Sequence, residues 1–63
     1  MTLTFGKHRG KEIEDIPSGY LQWLLETLED DDKFNERNPG LYEAVEEEIE
    51  IRDRSDRHFY EED

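Results

Sequence analysis

The sequence predicts an α+β fold in which an N-terminal β-hairpin packs on two helices, with an acidic C-terminal helix or tail. Alternating β-branched and apolar residues at positions 2–5 are typical of a short strand. Leucines at helical spacing within 20–28 indicate a first helix, and a second apolar stripe that begins at Leu41 indicates another. Because an isolated hairpin is marginal in water, we expect it to pack on these helices.

The size of the chain limits it to one domain. It has 63 residues, of which 32% are hydrophobic and 43% are charged, and it has no cysteine. Neither a disulfide nor a thiolate metal site can therefore stabilise so small a core. We expect a single domain over 1–60, with the hairpin and first helix in 1–28 and the second helix in 38–60. An acidic tail at 61–63 follows it.

The predicted hairpin has a glycine at each end of its loop. Gly6 and Gly10 bracket three residues, and either glycine can adopt a positive φ there. The return strand is expected over 11–16, with Ile13 as its apolar contact. Pro17 then ends the strand and begins the first helix.

The first helix has the strongest periodic signal in the chain. Leu21, Leu24, Leu25 and Leu28 follow the spacing i, i+3, i+4 and i+7. The acidic run after Leu28 opposes the helix dipole and predicts fraying near Asp30.

The second helix is expected to begin at the Asn38-Pro39 pair, which combines a cap residue with a proline at the first helical position. Acid-to-base pairs at i, i+4, such as Glu48 with Arg52, support a helix that runs toward Phe59. Phe34 lies in the predicted linker and is expected to fill the gap between the helices.

The shared periodicity of these segments predicts the core. We expect most of the buried apolar surface to come from Phe5, Ile13, Tyr20, Leu21, Trp23, Leu24, Leu25, Leu28, Leu41, Val45 and Ile49. If the indole of Trp23 is buried, Trp23→Ala costs about 3–5 kcal/mol.

The charge of the chain is uneven. Nineteen acidic residues against eight lysines and arginines give a formal net charge of −11. Residues 1–25 hold three bases and three acids, so residues 26–63 carry the whole net charge. This charge argues against wholesale binding to nucleic acid or anionic membrane. No apolar run approaches the ~18 residues of a membrane span, and residues 1–11 lack a signal-peptide apolar region, so we expect a cytoplasmic protein.

The usual catalytic and metal-binding patterns are absent from the sequence. The spacing of Gly6 and Gly10 is one residue too short for a P-loop, and no Ser or Thr follows Lys11. His8 and His58 have no metal-ligand spacing. The acidic run at 29–32 lacks the glycine and spaced carboxylate of a calcium loop. We therefore expect neither an enzyme nor a resident metal or cofactor.

One segment combines several cations with an aromatic residue and two glycines. Glycines let a backbone approach a phosphate closely, and basic side chains neutralise the phosphate charge. The same pattern also fits a solvated hairpin tip, where lysines keep an edge strand from aggregating. The candidate contact residues are Lys7, His8, Arg9 and Lys11.

The N-terminal third of the chain resembles a small domain with two known settings. The resemblance rests on Phe-Gly-Lys at 5–7, Gly-Lys at 10–11, Ile-Pro at 16–17 and Tyr-Leu-Gln-Trp-Leu-Leu at 20–25. One setting is the C-terminal module of bacterial exodeoxyribonuclease X-like proteins. The other is a family of short bacterial and phage proteins described as quorum-sensing-regulated virulence factors of unknown function. The resemblance implies a hairpin packed on the first helix and a role in DNA metabolism, without catalysis.

The favoured function is a small non-enzymatic accessory or interaction module linked to nucleic-acid processing, encoded by a bacterium or a phage. Its contact surface is the basic hairpin tip, and its partner is a protein or a nucleic acid. We also expect that the apolar stripe of the second helix pairs with a second copy to form a homodimer. The residues of that stripe are Leu41, Tyr42, Val45, Ile49 and Phe59.

The alternative function belongs to another class. A compact acidic protein with carboxylates along a helix can imitate the phosphates of a nucleic acid. Such a mimic inhibits a DNA-binding or RNA-binding protein, for example a restriction or CRISPR effector. The carboxylates of this acidic face are those of Glu43, Glu46, Glu47 and Glu50.

Overall fold

Three helices organise residues 1–60, the part of the chain that the computed structural model describes. Helix α1 spans Ser18–Asp30, α2 spans Asp32–Arg37 and α3 spans Leu41–Ser55. The hydroxyl of Tyr42, near the start of α3, donates to the Glu29 carboxylate near the end of α1, over 2.7 Å. This hydrogen bond raises the pKa of Tyr42 to about 12. At the other ends of the two helices, Arg52 of α3 donates to the Ser18 hydroxyl of α1, so α1 and α3 are antiparallel. The expected acidic tail at 61–63 lies outside the described residues.

The predicted β-hairpin is wrong, because residues 1–60 contain no β-strand. The two arms do lie side by side, and Thr2 and Glu12 form one isolated antiparallel bridge. The Leu3 N–H donates to the Lys11 carbonyl over 2.9 Å, and the Gly10 N–H donates to the Leu3 carbonyl over 2.8 Å. The fold is therefore a small, mostly helical domain with an extended N-terminal arm rather than an α+β domain.

A short 3₁₀ helix at Ile13–Asp15 takes the place of the predicted return strand. In a strand, residues three apart point to opposite faces, so Ile13 and Ile16 would not share a core. The 3₁₀ turn brings both side chains inward, and Ile13 is 2% and Ile16 0% exposed. The Ile16 N–H donates to the Ile13 carbonyl over 3.2 Å, which closes the turn. A strand cannot bury both isoleucines on one face, so the segment forms a 3₁₀ turn instead.

The carboxylate of Glu12 holds the arm in place. It accepts a hydrogen bond from the Thr2 hydroxyl over 2.8 Å and lies 3.2 Å from the amino group of Met1. The Thr2 hydrogen bond, followed by the Met1 ammonium, lowers the pKa of Glu12. These contacts favour the ionised carboxylate that the arm requires.

The prediction of the first helix is confirmed. It begins directly after Pro17, and Leu21, Leu24 and Leu28 are buried along one face. It ends at Asp30, at the acidic run, where carboxylates oppose the helix dipole. The predicted linker instead forms α2, because the Asp31 carboxylate caps it by accepting from the Phe34 N–H over 3.1 Å.

The second predicted helix is shorter than expected. Asn38 does not cap α3, because its side-chain amide donates to the Phe34 carbonyl over 2.9 Å. Gly40, at φ +83°, precedes the first helical residue instead. The predicted Glu48–Arg52 pair is confirmed at 2.8 Å, and α3 ends at Ser55 rather than continuing to Phe59.

The core differs from the prediction at three important positions. Trp23 was expected inside but is 51% exposed, whereas Leu3 and Ile16 were not expected and are buried. In the predicted α3 stripe, Leu41 and Val45 are buried in the core of this single chain, and Tyr42 and Ile49 pack against it. The expected homodimer stays a prediction. The buried apolar residues are Leu3, Ile13, Ile16, Leu21, Leu24, Leu28, Leu41 and Val45.

None of the helices within residues 1–60 has the length and apolar content needed to span a membrane.

Candidate functional site

The predicted cations lie on a tight loop at residues 6–11, called the basic loop below. Lys7, Arg9 and Lys11 are all exposed. The loop is closed by backbone hydrogen bonds, in which the Arg9 N–H donates to the Gly6 carbonyl over 3.2 Å and the Lys11 N–H to the His8 carbonyl over 3.1 Å. Three cations are therefore presented from a short, hydrogen-bonded segment.

The basic loop is anchored on Tyr20 of α1. Gly6 has a φ of +76°, and a side chain at this position would collide with the Tyr20 hydroxyl. Only glycine allows both this backbone conformation and this approach. The structure places the predicted contact residue His8 beneath the loop, 3% exposed, with its ring edge-on to Tyr20 at 4.6 Å between ring centroids. His8 therefore shapes the loop, and the contact surface is left to Lys7, Arg9 and Lys11.

An open groove, called the aromatic groove below, runs beside the basic loop between α1 and α2. Its volume is about 420 Å³, and three of its lining residues are Phe5, Trp23 and Phe34. The rings of Phe5 and Phe34 pack edge to face at 5.1 Å. The Trp23 ring lies 5.4 Å from the ring of Tyr20, so the groove and the basic loop share the same α1 side chains.

Basic residues of α2 also line the aromatic groove. Lys33 and Arg37 are one helical turn apart, on the side of α2 that carries Phe34. Asp31 is the acidic member of the lining, and its carboxylate is occupied as the cap of α2. The lining of the groove therefore holds two cations and one carboxylate, although further exposed acids flank it in the sequence at 29–30, at Asp32 and at Glu36.

The predicted acidic face forms as the spacing requires. Its four glutamates are exposed on α3 at i, i+3, i+4 and i+7, which places them on one side of the helix. Val45, between them in sequence, is fully buried on the opposite side. The carboxylates therefore point away from α1 and from the core; they are those of Glu43, Glu46, Glu47 and Glu50.

A buried arginine joins α3 to the start of α1. Arg52 is 2% exposed and donates to the Glu48 carboxylate over 2.8 Å and to the Ser18 hydroxyl over 2.9 Å. It also donates to the backbone carbonyls of Ile13 and Glu14, over 3.3 and 3.1 Å. The fork of the guanidinium thus connects three separate segments of the chain.

The C-terminal segment closes over this arginine. The Phe59 ring lies 4.5 Å from the guanidinium carbon of Arg52, and the Phe59 carbonyl accepts from the Ser18 N–H over 2.7 Å.

His58 contacts both a serine and an aspartate: its Nδ1 hydrogen-bonds the Ser18 hydroxyl over 2.8 Å, and its Nε2 hydrogen-bonds the Asp53 carboxylate. The order Ser-His-Asp resembles a catalytic triad in residue types only. Ser18 is fully buried and already accepts from Arg52, so it cannot reach a substrate.

No group of three metal-ligating side chains converges within residues 1–60.

Sequence reasoning missed the aromatic groove and the buried arginine. Tyr20, Trp23 and Thr27 form a second stripe at i, i+3 and i+7, beside the leucine stripe, and this offset is visible in the sequence. Arg52 follows Val45 by seven residues, so it occupies a core position of α3. The contacts of Phe34 with the N-terminal arm have no sequence signal, because they depend on how the segments fold together.

Comparisons with family models, curated proteins and solved structures find no match for this chain. The resemblance to the exodeoxyribonuclease X module therefore rests on the motif within 5–25 alone. In the structure Tyr20 of that motif lies against Gly6 on one side and against the ring of Trp23 on the other.

Proposed function

We propose that this protein is a small non-enzymatic interaction module of nucleic-acid processing that contacts backbone phosphates with its basic loop. The observation that carries the proposal is the exposure of Lys7, Arg9 and Lys11 on a loop held in one conformation. Phosphate contacts need cations at a fixed surface and a backbone that allows close approach. The motif resemblance to a module of DNA nucleases supports the same setting.

The distribution of charge supports this function despite the net charge of −11. The basic loop rests on Tyr20, whereas the acidic face of α3 lies opposite Val45 and points away from α1. Phosphates at the loop therefore do not meet the four glutamates of that face. The net charge still repels a polyanion at long range, so we expect weak affinity that is visible only at low salt.

The salt dependence of binding tests this function. With two to four phosphate contacts on a single strand, the logarithm of the association constant should fall with the logarithm of salt, with a slope of about −1.5 to −3. Lys7→Ala/Arg9→Ala should weaken binding and flatten this slope by about 1 to 1.5. The measurement is fluorescence anisotropy of a labelled oligonucleotide between about 20 and 200 mM salt.

A matched control separates the basic loop from net charge. Arg54→Ala/Arg57→Ala removes two exposed cations near the end of α3, so the change in net charge equals that of the loop variant. We expect this control to keep the wild-type slope. Equal effects of the two double variants contradict a loop contact, and no binding at any salt contradicts the function.

A second candidate is the acidic mimic, which one observation favours. From Glu43 to Glu50 the acidic face carries four carboxylates over about 10.5 Å of the helix axis, with intervals of about 4.5, 1.5 and 4.5 Å. One DNA strand carries a phosphate about every 3.4 Å along its axis. A mimic of this kind binds no nucleic acid in the salt titration and competes with DNA for a basic protein.

A further inference from the structure

The exposure of Trp23 is unexplained by the fold. Its neighbour in sequence Leu24 is fully buried, whereas Trp23 is about half exposed. It is the only tryptophan in the chain and lies on the surface of a protein that is 43% charged. A contiguous patch of apolar rings marks a binding surface more strongly than a single exposed ring, and Trp23 shares its groove with Phe5 and Phe34.

The surroundings of Trp23 indicate what it binds. The aromatic groove, about 420 Å³, has the size of a small-ligand site, about 300–1,000 Å³. Its walls are aromatic and its rim carries Lys33 and Arg37, so it offers a flat apolar surface beside positive charge. A nucleotide has the matching chemistry, because its base has an apolar face and its phosphate is an anion.

We infer that the aromatic groove stacks an unpaired base on Trp23 while Lys33 and Arg37 neutralise the adjoining phosphate, which makes single-stranded nucleic acid the ligand. This inference rests on the proposed function. In a duplex the faces of the bases are already stacked and cannot enter the groove. In a single strand they are available, and every base presents such a face, so the contact is tolerant of sequence.

The position of the groove gives the strand a continuous path. Phe5, in the wall of the groove, directly precedes the basic loop, and Tyr20 contacts both the loop and Trp23. Because Phe5 is two residues from Lys7, we expect a strand with one base in the groove to continue toward the basic loop. The inference thus extends the phosphate contacts of the loop to a contact with a base.

The test uses two readouts on the same samples. A labelled single strand of about ten nucleotides, as oligothymidylate or as oligouridylate, is compared with a duplex of equal length. Anisotropy of the label reports binding of any kind. Emission comes from Trp23 alone, because the chain has one tryptophan, and strong quenching of it reports a base stacked on that ring. We expect the quenching of Trp23 emission to saturate at the same protein-to-oligonucleotide ratio as the anisotropy. We also expect the single strands to bind about tenfold tighter than the duplex. The two single strands distinguish DNA from RNA.

Variants keep the test independent of folding. Trp23→Ala should weaken single-strand binding about tenfold, and Lys33→Ala/Arg37→Ala should weaken it while leaving the aromatic walls intact. Tyr60→Ala removes an exposed ring outside the groove, 60% exposed, and should bind as the wild type does. Circular dichroism verifies that each variant is folded.

The outcomes separate the inference from the function on which it rests. If the oligonucleotides bind but Trp23 emission is unchanged, or if the duplex binds as tightly as the single strands, the groove inference is overturned and the phosphate contacts of the loop stand. If no oligonucleotide binds at any salt, the proposed function fails and the inference fails with it.

Discussion

Replacing Arg52 by alanine is expected to unfold most of the protein at room temperature. The change removes four hydrogen bonds and leaves the carboxylate of Glu48, the hydroxyl of Ser18 and two carbonyls without their shared donor. Removing one partner from a buried charge pair costs about 3–5 kcal/mol. A single core of this size supplies about 3–5 kcal/mol in total. Urea denaturation followed by circular dichroism measures the loss.

Two further variants show whether the fork of Arg52 is the cause. Arg52→Lys retains the charge but loses the planar fork, so we expect it to recover only part of the stability. Arg54→Ala changes an exposed arginine of the same helix and should stay within about 0.5 kcal/mol of the wild type. An Arg52→Ala variant as stable as the Arg54→Ala variant contradicts the structural role of Arg52.

Leu24→Ala should destabilise the protein far more than Trp23→Ala, although tryptophan is the larger residue. Leu24 is 0% exposed in the core, and truncating such a leucine costs about 2–5 kcal/mol. Trp23 is 51% exposed, so its truncation should cost about 1–2 kcal/mol, below the value expected for a buried indole. Chemical denaturation of the two variants side by side tests the order. The reverse order would place the indole in the core and remove the basis of the aromatic groove.

The helices could be predicted from the sequence because each has a local signal. Leu21, Leu24 and Leu28 repeat at helical spacing, and this pattern is enough to locate α1. The N-terminal arm could not be predicted in this way, because its conformation follows from contacts made elsewhere. Ile13 and Ile16 turn inward and pack with residues of α1 and α3 in the core. The burial of these two side chains outweighs the β-propensity of the segment.

The candidate site was predictable only in part, for similar reasons. The exposure of Lys7 and Arg9 follows from their place between two glycines, and that of Lys11 from its place directly after the second. The burial of His8 does not, because it depends on Tyr20, twelve residues later in the chain. One wall of the aromatic groove is formed by α2. The sequence does not predict this helix, because the acidic segment after Asp30 is interpreted as a linker.

We expect nucleic acid to contact the basic loop and the aromatic groove, and not the acidic face of α3. The most direct measurement is a two-dimensional ¹H–¹⁵N NMR spectrum of the protein during titration with a single-stranded oligonucleotide at ~20 mM salt. We predict that amide signals shift in the basic loop, around Trp23 and in α2 from Lys33 to Arg37, while those from Glu43 to Glu50 stay in place. Shifts confined to 43–50, or an unchanged spectrum, would contradict nucleic-acid contact at the basic loop and the groove.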